Sequence, residues 1–188
     1  HYLGLRPHTS SGNTSTVRNN SFDGGMHNVI IQHQCNFEGN LLKGSVAETA
    51  LQIDIRLAGA AVRVAGNVFN AVNPGFDTVS IIGSNATGTI DVCNNTFPAP
   101  AGRDSVYVFD AAGSTVNVYN NAFTIAPTRA YIANSTATLA NDYNLYPAGV
   151  SHGEANGLAA DVTLDANFVI QGGVGADVGT KWWTGSRR

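Results

Sequence analysis

Three charged residues of this chain have the side chains that cleavage of a glycosidic bond requires. Glu38 and Asp91 are carboxylic acids and Arg63 is a permanent cation, and each lies two or four residues before an asparagine of a recurring pattern. Inverting glycoside hydrolases hold an acid and a base carboxyl group about 6.5 to 9.5 Å apart. Glu38, Arg63 and Asp91 are therefore weak catalytic candidates. An exposed ion pair between Arg63 and Asp91 is the simpler interpretation.

A second set of residues suits binding rather than catalysis. Asp54, Ser80, Tyr107 and Tyr131 follow one another at steps of 26, 27 and 24 residues. An aromatic ring packs on the face of a sugar while carboxylates and hydroxyls bind its hydroxyl groups. The spacing predicts a ligand-binding column with both tyrosines exposed on adjacent repeats. Two cross-strand aromatics that shield a sheet are the alternative interpretation.

A sixfold repeat between Val17 and Tyr146 must position these residues. Each copy has two mostly apolar residues separated by one residue, then two residues, an asparagine, one residue and an apolar or aromatic residue. The final residues of the copies are 20, 27, 28, 26 and 23 residues apart. Such a period predicts a solenoid of stacked coils. The repeated asparagines are Asn20, Asn40, Asn67, Asn95, Asn121 and Asn144.

The repeat predicts strands rather than helices, because its apolar residues alternate with period two. A second apolar run between copies, as at Ile53–Ile55 and Val106–Val108, gives each coil at least two strands. Each strand must then pair in parallel with the same strand of the next coil. We expect the asparagine amides to bond one another in an internal ladder, with an aromatic column two residues further on. That column comprises Phe22, Phe69, Phe97, Phe123 and Tyr146, with Leu42 in one coil.

The chain resembles the right-handed parallel β-helix of the pectate-lyase-like superfamily, specifically its C-terminal coils. The resemblance rests on residues 17–22, 92–97, 118–123 and 142–146, and covers roughly residues 15–146. It implies an all-β right-handed parallel β-helix of about six coils. That superfamily includes lyases, hydrolases, epimerases, tailspikes and adhesins, so the resemblance does not select an activity.

Three segments are expected: an N-terminal lead-in at 1–14, the coils at 15–146 and a closing segment at 147–188. With about fourteen residues before the first coil, we expect either the C-terminal part of a longer β-helix or a subunit docked end-on to a partner. In the closing segment, Trp182 and Trp183 either cover the last coil or form an exposed anchor. His27 and His33, on either side of the apolar run Val29–Ile31, are expected in turns as surface residues.

The register predicts two free thiols. Cys35 takes an inward position and Cys93 an outward one, two coils away. Two coils correspond to about 9.6 Å along the axis, which exceeds the roughly 7 Å between Cα atoms that a disulfide spans.

Composition limits the classes of partner. The chain has 12% charged residues, a net charge of −3 and no basic run before Arg187 and Arg188, which argues against nucleic acid. No apolar stretch approaches the length of a membrane span. Neither a metal site nor a cofactor motif is apparent.

The sequence therefore favours a non-catalytic β-helical scaffold or binding module, extracellular, at a cell surface or virion-associated, of the tailspike, adhesin or decoration type. The expected partner is a polysaccharide, or protein subunits that contact the coil ends, in an oligomer or a larger chain. The non-catalytic interpretation is preferred because no cluster of three acids occurs on adjacent coils. The alternative is a fragment of a polysaccharide lyase or glycoside hydrolase.

Overall fold

The protein, in a computed structural model, is an all-β parallel solenoid built from three sheets. The structure describes residues 3–5, 13–25, 29–56, 58–72, 75–82, 87–109, 111, 113–135, 137–161, 163–166, 168 and 170–171. The described residues contain no helix, and hence none that could cross a membrane. The fold class predicted from the repeat is confirmed.

Each coil contributes one strand to each sheet, and strands are numbered along the chain. Sheet A contains β1 (Leu3–Leu5), β4 (Val29–Ile31), β7 (Leu51–Asp54), β10 (Val79–Ile82), β13 (Val106–Phe109) and β16 (Ile132–Asn134). Sheet B contains β2 (Ser15–Arg18), β5 (Cys35–Glu38), β8 (Ala60–Ala65), β11 (Gly88–Cys93), β14 (Thr115–Tyr119) and β17 (Thr138–Asp142). Sheet C contains β3 (Ser21–Gly25), β6 (Leu41–Val46), β9 (Val68–Val72), β12 (Thr96–Phe97), β15 (Ala122–Phe123), β18 (Leu145–Tyr146) and β19 (Leu158–Ala159).

About four turns, β4 to β15, are enclosed by a coil on each side, fewer than the six coils predicted. Their inward residues are buried, as Ile53, Val64 and Phe97 illustrate. The first and last coils leave inward positions such as Val17 and Leu139 only half-buried, because among the described residues their sheet B strands have one neighbouring strand. Strand β1 lies within segment 1–14 and pairs with β4.

The internal asparagine ladder runs through all six repeats. From Asn40 onward, the Oδ1 of each ladder asparagine accepts two hydrogen bonds from the preceding one, from its backbone N–H and its Nδ2, at 2.8–3.2 Å. The second Nδ2 hydrogen goes to a backbone carbonyl, as from Asn95 to Val64 at 2.9 Å. The amides from Asn40 to Asn144 are buried, so this pairing satisfies polar groups that water does not reach.

The residue before each ladder asparagine has a positive φ, which turns the chain from sheet B into sheet C. Glycine and asparagine adopt this left-handed conformation at low cost. Five coils use one of these two residues, whereas the last uses tyrosine. The residues and their φ angles are Asn19 58°, Gly39 63°, Gly66 64°, Asn94 57°, Asn120 63° and Tyr143 59°.

The predicted aromatic column lies beside the ladder. Phe69, Phe97 and Phe123 stack with centroids 4.9 and 4.8 Å apart, and Tyr146 continues the stack at 5.4 Å. Phe22 stacks instead on Phe37 of sheet B, at 5.9 Å.

The described part of segment 147–188 adds one strand to the solenoid and then departs from it. Strand β19 pairs in parallel with β18, whereas β20 (Thr163–Leu164) and β21 (Ile170–Gln171) form an antiparallel pair. His27, Trp182 and Trp183 lie outside the described residues.

Candidate functional site

The three catalytic candidates lie together on the outer face of sheet B. Arg63 is in register with Asp91 on the next coil, but its ion pair is with Glu38, with Nε 3.5 Å from Oε1. Asp91 instead accepts a hydrogen bond from Asn117 Nδ2 at 2.7 Å. The predicted Arg63–Asp91 ion pair is therefore wrong, because Arg63 turns toward the preceding coil. Both charged groups of the Glu38–Arg63 pair are half-exposed, as is typical of a surface ion pair.

The cysteines beside this face are both free, as predicted, but the exposure predicted for Cys93 is wrong. Cys93 has the outward register, yet it is fully buried because Tyr119 of the next coil packs over it. The hydrogen bond with Cys93, followed by burial, raises the pKa of Tyr119 to about 12. Burial likewise raises the pKa of Cys93, and that of Cys35 to about 11. Both thiols are thus protonated and unreactive near neutral pH.

The predicted column of Asp54, Ser80, Tyr107 and Tyr131 does not form. Tyr107 is in register with Ser80 and Ala133, so Tyr131 falls two residues out of the column. Tyr131 packs inward, with its ring 5.5 Å from Phe123 and 5.0 Å from Tyr146. The prediction of an exposed Tyr131 is wrong because β16 begins at Ile132, two residues later than the apolar run Ala130–Ile132 suggested, so Tyr131 lies in the turn before the strand.

Two other members of the column are also covered. Ser80 is 7% exposed and Asp54 is 6% exposed. The Asp54 carboxylate accepts hydrogen bonds from Arg56, at 2.8 and 2.6 Å, and from Gln32 at 3.0 Å. Asp54 therefore positions the Arg56 guanidinium, and of the four predicted residues Tyr107 is the one that stays partly exposed on the outer face of sheet A.

The turns that lead into sheet A bring together residues that the sequence analysis did not select. Arg103 N–H donates to the carbonyl of Phe76 at 3.0 Å, and Arg129 N–H donates to the carbonyl of Arg103 at 2.9 Å. These backbone bonds stack the three residues in a column, one coil apart. The guanidinium groups of Arg103 and Arg129 thus lie on adjacent coils, with side chains 37% and 53% exposed.

A parallel column of buried aspartates lies behind the arginines. Asp77 Oδ1 accepts from the backbone N–H of Asp104 at 3.2 Å, and Asp104 Oδ1 accepts from Ala130 N–H at 2.9 Å. Each carboxylate faces the arginine of the next coil, at 4.0 Å for Asp77–Arg103 and 3.8 Å for Asp104–Arg129. Asp77 and Asp104 are 4% and 0% exposed, so a ligand at this surface meets the guanidinium groups and not the carboxylates.

Aromatic side chains extend the same surface over sheet A. Tyr107 and Phe109 project from the outer side of β13, with ring centroids 5.8 Å apart and interplanar angle 28°. Arg103 lies over the Tyr107 ring at 5.7 Å from its centroid, and Phe109 is half-exposed. We call Arg103, Arg129, Tyr107 and Phe109 the arginine surface. It combines oxyanion-binding groups with flat apolar rings.

A sequence signal for the aspartate column does exist. Asp77 and Asp104 each lie two residues before the first valine of a sheet A strand, in Phe76–Val79 and Arg103–Val106. The turns before these strands differ in length, so the alignment is evident only from the strand and not from the preceding asparagine.

Within the described ranges, His33 and the other potential metal ligands do not form a binding site. His33, expected at the surface, is 9% exposed and its Nε2 lies 2.7 Å from Ser15 Oγ. Across the described part of the chain, no three His, Cys, Asp or Glu side chains are grouped as they would be to bind a metal.

In comparisons with known proteins, no family model, curated protein or solved structure matches the chain.

Proposed function

We propose that this protein is a non-catalytic β-helical binding module that recognises an acidic polysaccharide through the arginine surface. The observation that carries the proposal is the exposure of Arg103 and Arg129 above carboxylates that are themselves buried. Such a surface presents positive charge even though the chain as a whole has a net charge of −3.

The chemistry of the surface fits a sugar acid better than a neutral sugar. A guanidinium binds a carboxylate through two parallel N–H donors, and a sugar ring packs on an aromatic face. The two arginines are one coil apart, about 4.8 Å, and Tyr107 and Phe109 lie beside them on one strand. A polymer lying across the coils would thus meet charge and aromatic contacts together.

The parallel solenoid and its asparagine ladder support placing the chain among right-handed, pectate-lyase-like β-helices, and with them an extracellular, cell-surface or virion location. An end-on protein partner is part of the same proposal. A lyase or hydrolase activity is less well supported. Glu38 and Arg63 pair with each other on sheet B, away from the arginine surface, and the aspartates behind Arg103 and Arg129 are buried.

Titration calorimetry tests the proposal with polygalacturonate and with its neutral methyl ester. We expect the protein to bind polygalacturonate and not the methyl ester, and we expect added salt to weaken this binding. Arg129→Gln should reduce affinity about fivefold, because one charge-assisted contact is lost. Lys43→Gln is the matched control, since it removes one exposed charge from sheet C and should leave affinity unchanged. Equal binding of both polymers, or an unaffected Arg129→Gln variant, would contradict the proposal.

A further inference from the structure

An open groove of about 790 Å³ lies at the C-terminal end of sheet B, on a different sheet from the arginine surface. It runs along β17, the last strand of that sheet among the described residues, and over the end of β14. Its size is within the range of small-ligand sites. The groove is lined by Asn117, Tyr119, Asn120, Leu139, Ala140, Asn141, Asp142 and Tyr143.

Tyr143 has an unfavourable backbone conformation at this groove. Its φ is 59°, at the position where each of the other five coils has glycine or asparagine. A tyrosine there costs free energy that an asparagine would not, and such strain is concentrated at functional sites. The conformation leaves the tyrosine 50% exposed on the groove. Tyr119 supplies a second ring at the same groove, with its hydroxyl already bonded to Cys93.

The charge of the groove is negative. Asp142 is the charged residue that lines it, and hydrogen bonds from Asn156, chiefly from its side chain, lower the pKa of Asp142. Asp91 lies behind Asn117, whose Nδ2 it holds at 2.7 Å. The Asn120 Oδ1 at the groove wall is buried without a hydrogen bond and adds a partial negative charge. The lining residues include no lysine or arginine to balance these groups.

We propose that this groove binds the primary ammonium group of a small ligand. The ring faces of Tyr119 and Tyr143 attract a cation, and the negative charge of Asp142 and the amide oxygens of Asn117 and Asn141 favour an N–H donor. Leu139 and Ala140 provide apolar area for the rest of the ligand. The ammonium group comes either from an amino sugar or from an alkyl amine, and the experiment separates these sources.

The test is a titration of the full chain with D-glucosamine, n-butylamine and D-glucose. The NMR signals of the tyrosine rings are recorded at each addition. We expect saturable shifts of the Tyr119 and Tyr143 signals with glucosamine and none with glucose, which differs in lacking the charge. Butylamine binding as tightly as glucosamine would identify a general amine site, and weaker binding would identify an amino-sugar site. Both results support the proposal.

Variants distinguish a loss of amine binding from a loss of the folded structure. Tyr143→Asn keeps a residue that tolerates the left-handed conformation but removes the ring, and should weaken amine binding about threefold or more. Arg129→Gln on the arginine surface should not affect amine binding, so this proposal and that of polysaccharide binding can fail separately. Glucose shifting the tyrosine signals as much as glucosamine, no shifts with either amine, or unchanged binding by Tyr143→Asn would overturn the inference.

Discussion

At the scale of single residues, the buried Asp77 is a source of pH-dependent stability. Burial, the largest cause, raises the pKa of its carboxyl group above the ordinary value, although the Asp104 N–H and Arg103 oppose this shift. A carboxyl whose pKa is higher in the folded than in the unfolded state favours folding when protonated. Its contribution to stability is therefore present below the unfolded pKa and is lost as the pH rises through the folded pKa.

Asp77→Asn should remove this dependence. Asparagine retains an oxygen that accepts from the Asp104 N–H, which Asp77 Oδ1 accepts at 3.2 Å, but it cannot ionise. We expect the unfolding free energy of the variant to equal or exceed that of the wild type at pH 7. The difference should move in favour of the wild type as the pH falls through the folded pKa. Denaturant titrations between pH 4 and pH 7 measure it, and a wild-type advantage that grows with pH would contradict this assignment.

Glu154 occupies the position that the next ladder asparagine would take. It accepts hydrogen bonds from Asn144 N–H at 3.0 Å and from Asn144 Nδ2 at 2.8 Å, and also from Tyr146. Asn144 is 1% exposed, so loss of the carboxylate takes away the hydrogen-bond partner of two buried donors. We expect Glu154→Ala to reduce the unfolding free energy by about 1 to 3 kcal/mol.

Glu154→Gln is the matched variant, because it keeps one carbonyl oxygen that can accept both bonds as a ladder amide does. Its stability should lie between those of Glu154→Ala and the wild type. Chemical denaturation compares the stability of the three proteins. An alanine variant as stable as the wild type would show that the hydrogen bonds to Glu154 do not stabilise the fold.

At the scale of elements, the ladder should be strongest in the middle. Asn95 Oδ1 accepts two bonds from Asn67, and its own Nδ2 donates to Val64 and to Asn121. Asn95→Ala leaves these buried groups unpaired, and we expect a loss of about 2 to 4 kcal/mol. Asn20→Ala, at the exposed end of the same ladder, is the control and should cost about 1 kcal/mol or less. Thermal unfolding of both variants should rank them in this order.

Two strands per coil, those of sheets B and A, could be predicted from the sequence, whereas the third strand, in sheet C, and the turns before sheet A could not. The ladder asparagines fix the register within three residues on either side, so Val64 and Phe97 were placed correctly as inward residues. Beyond that distance the turn lengths vary, which is why Tyr131 was assigned to the wrong face. The alignment of Arg103 with Arg129 depends on backbone bonds between turns, and no apolar periodicity encodes such bonds.

At the scale of the whole molecule, each coil contacts only its neighbours, so stability should differ along the axis. Amide hydrogen exchange should be slowest in β8 and β11, each of which pairs with a strand on both sides. It should be fastest in β2 and β17, at the two ends of sheet B. Exchange measured by mass spectrometry on peptides from each coil tests this gradient. Uniform protection along the chain would indicate that the solenoid opens as a single unit.

The asparagine ladder also has an electrical direction. In every step the NH₂ group points toward the C-terminal coil and the oxygen toward the N-terminal coil. Aligned amide dipoles add, as they do along an α-helix, so the column is positive at Asn144 and negative at Asn20. The Glu154 carboxylate lies at the positive end, where an anion is favoured. The two ends of the solenoid are thus electrically opposite, and a further coil stacked at the Asn20 end would have to offer hydrogen-bond donors to this column.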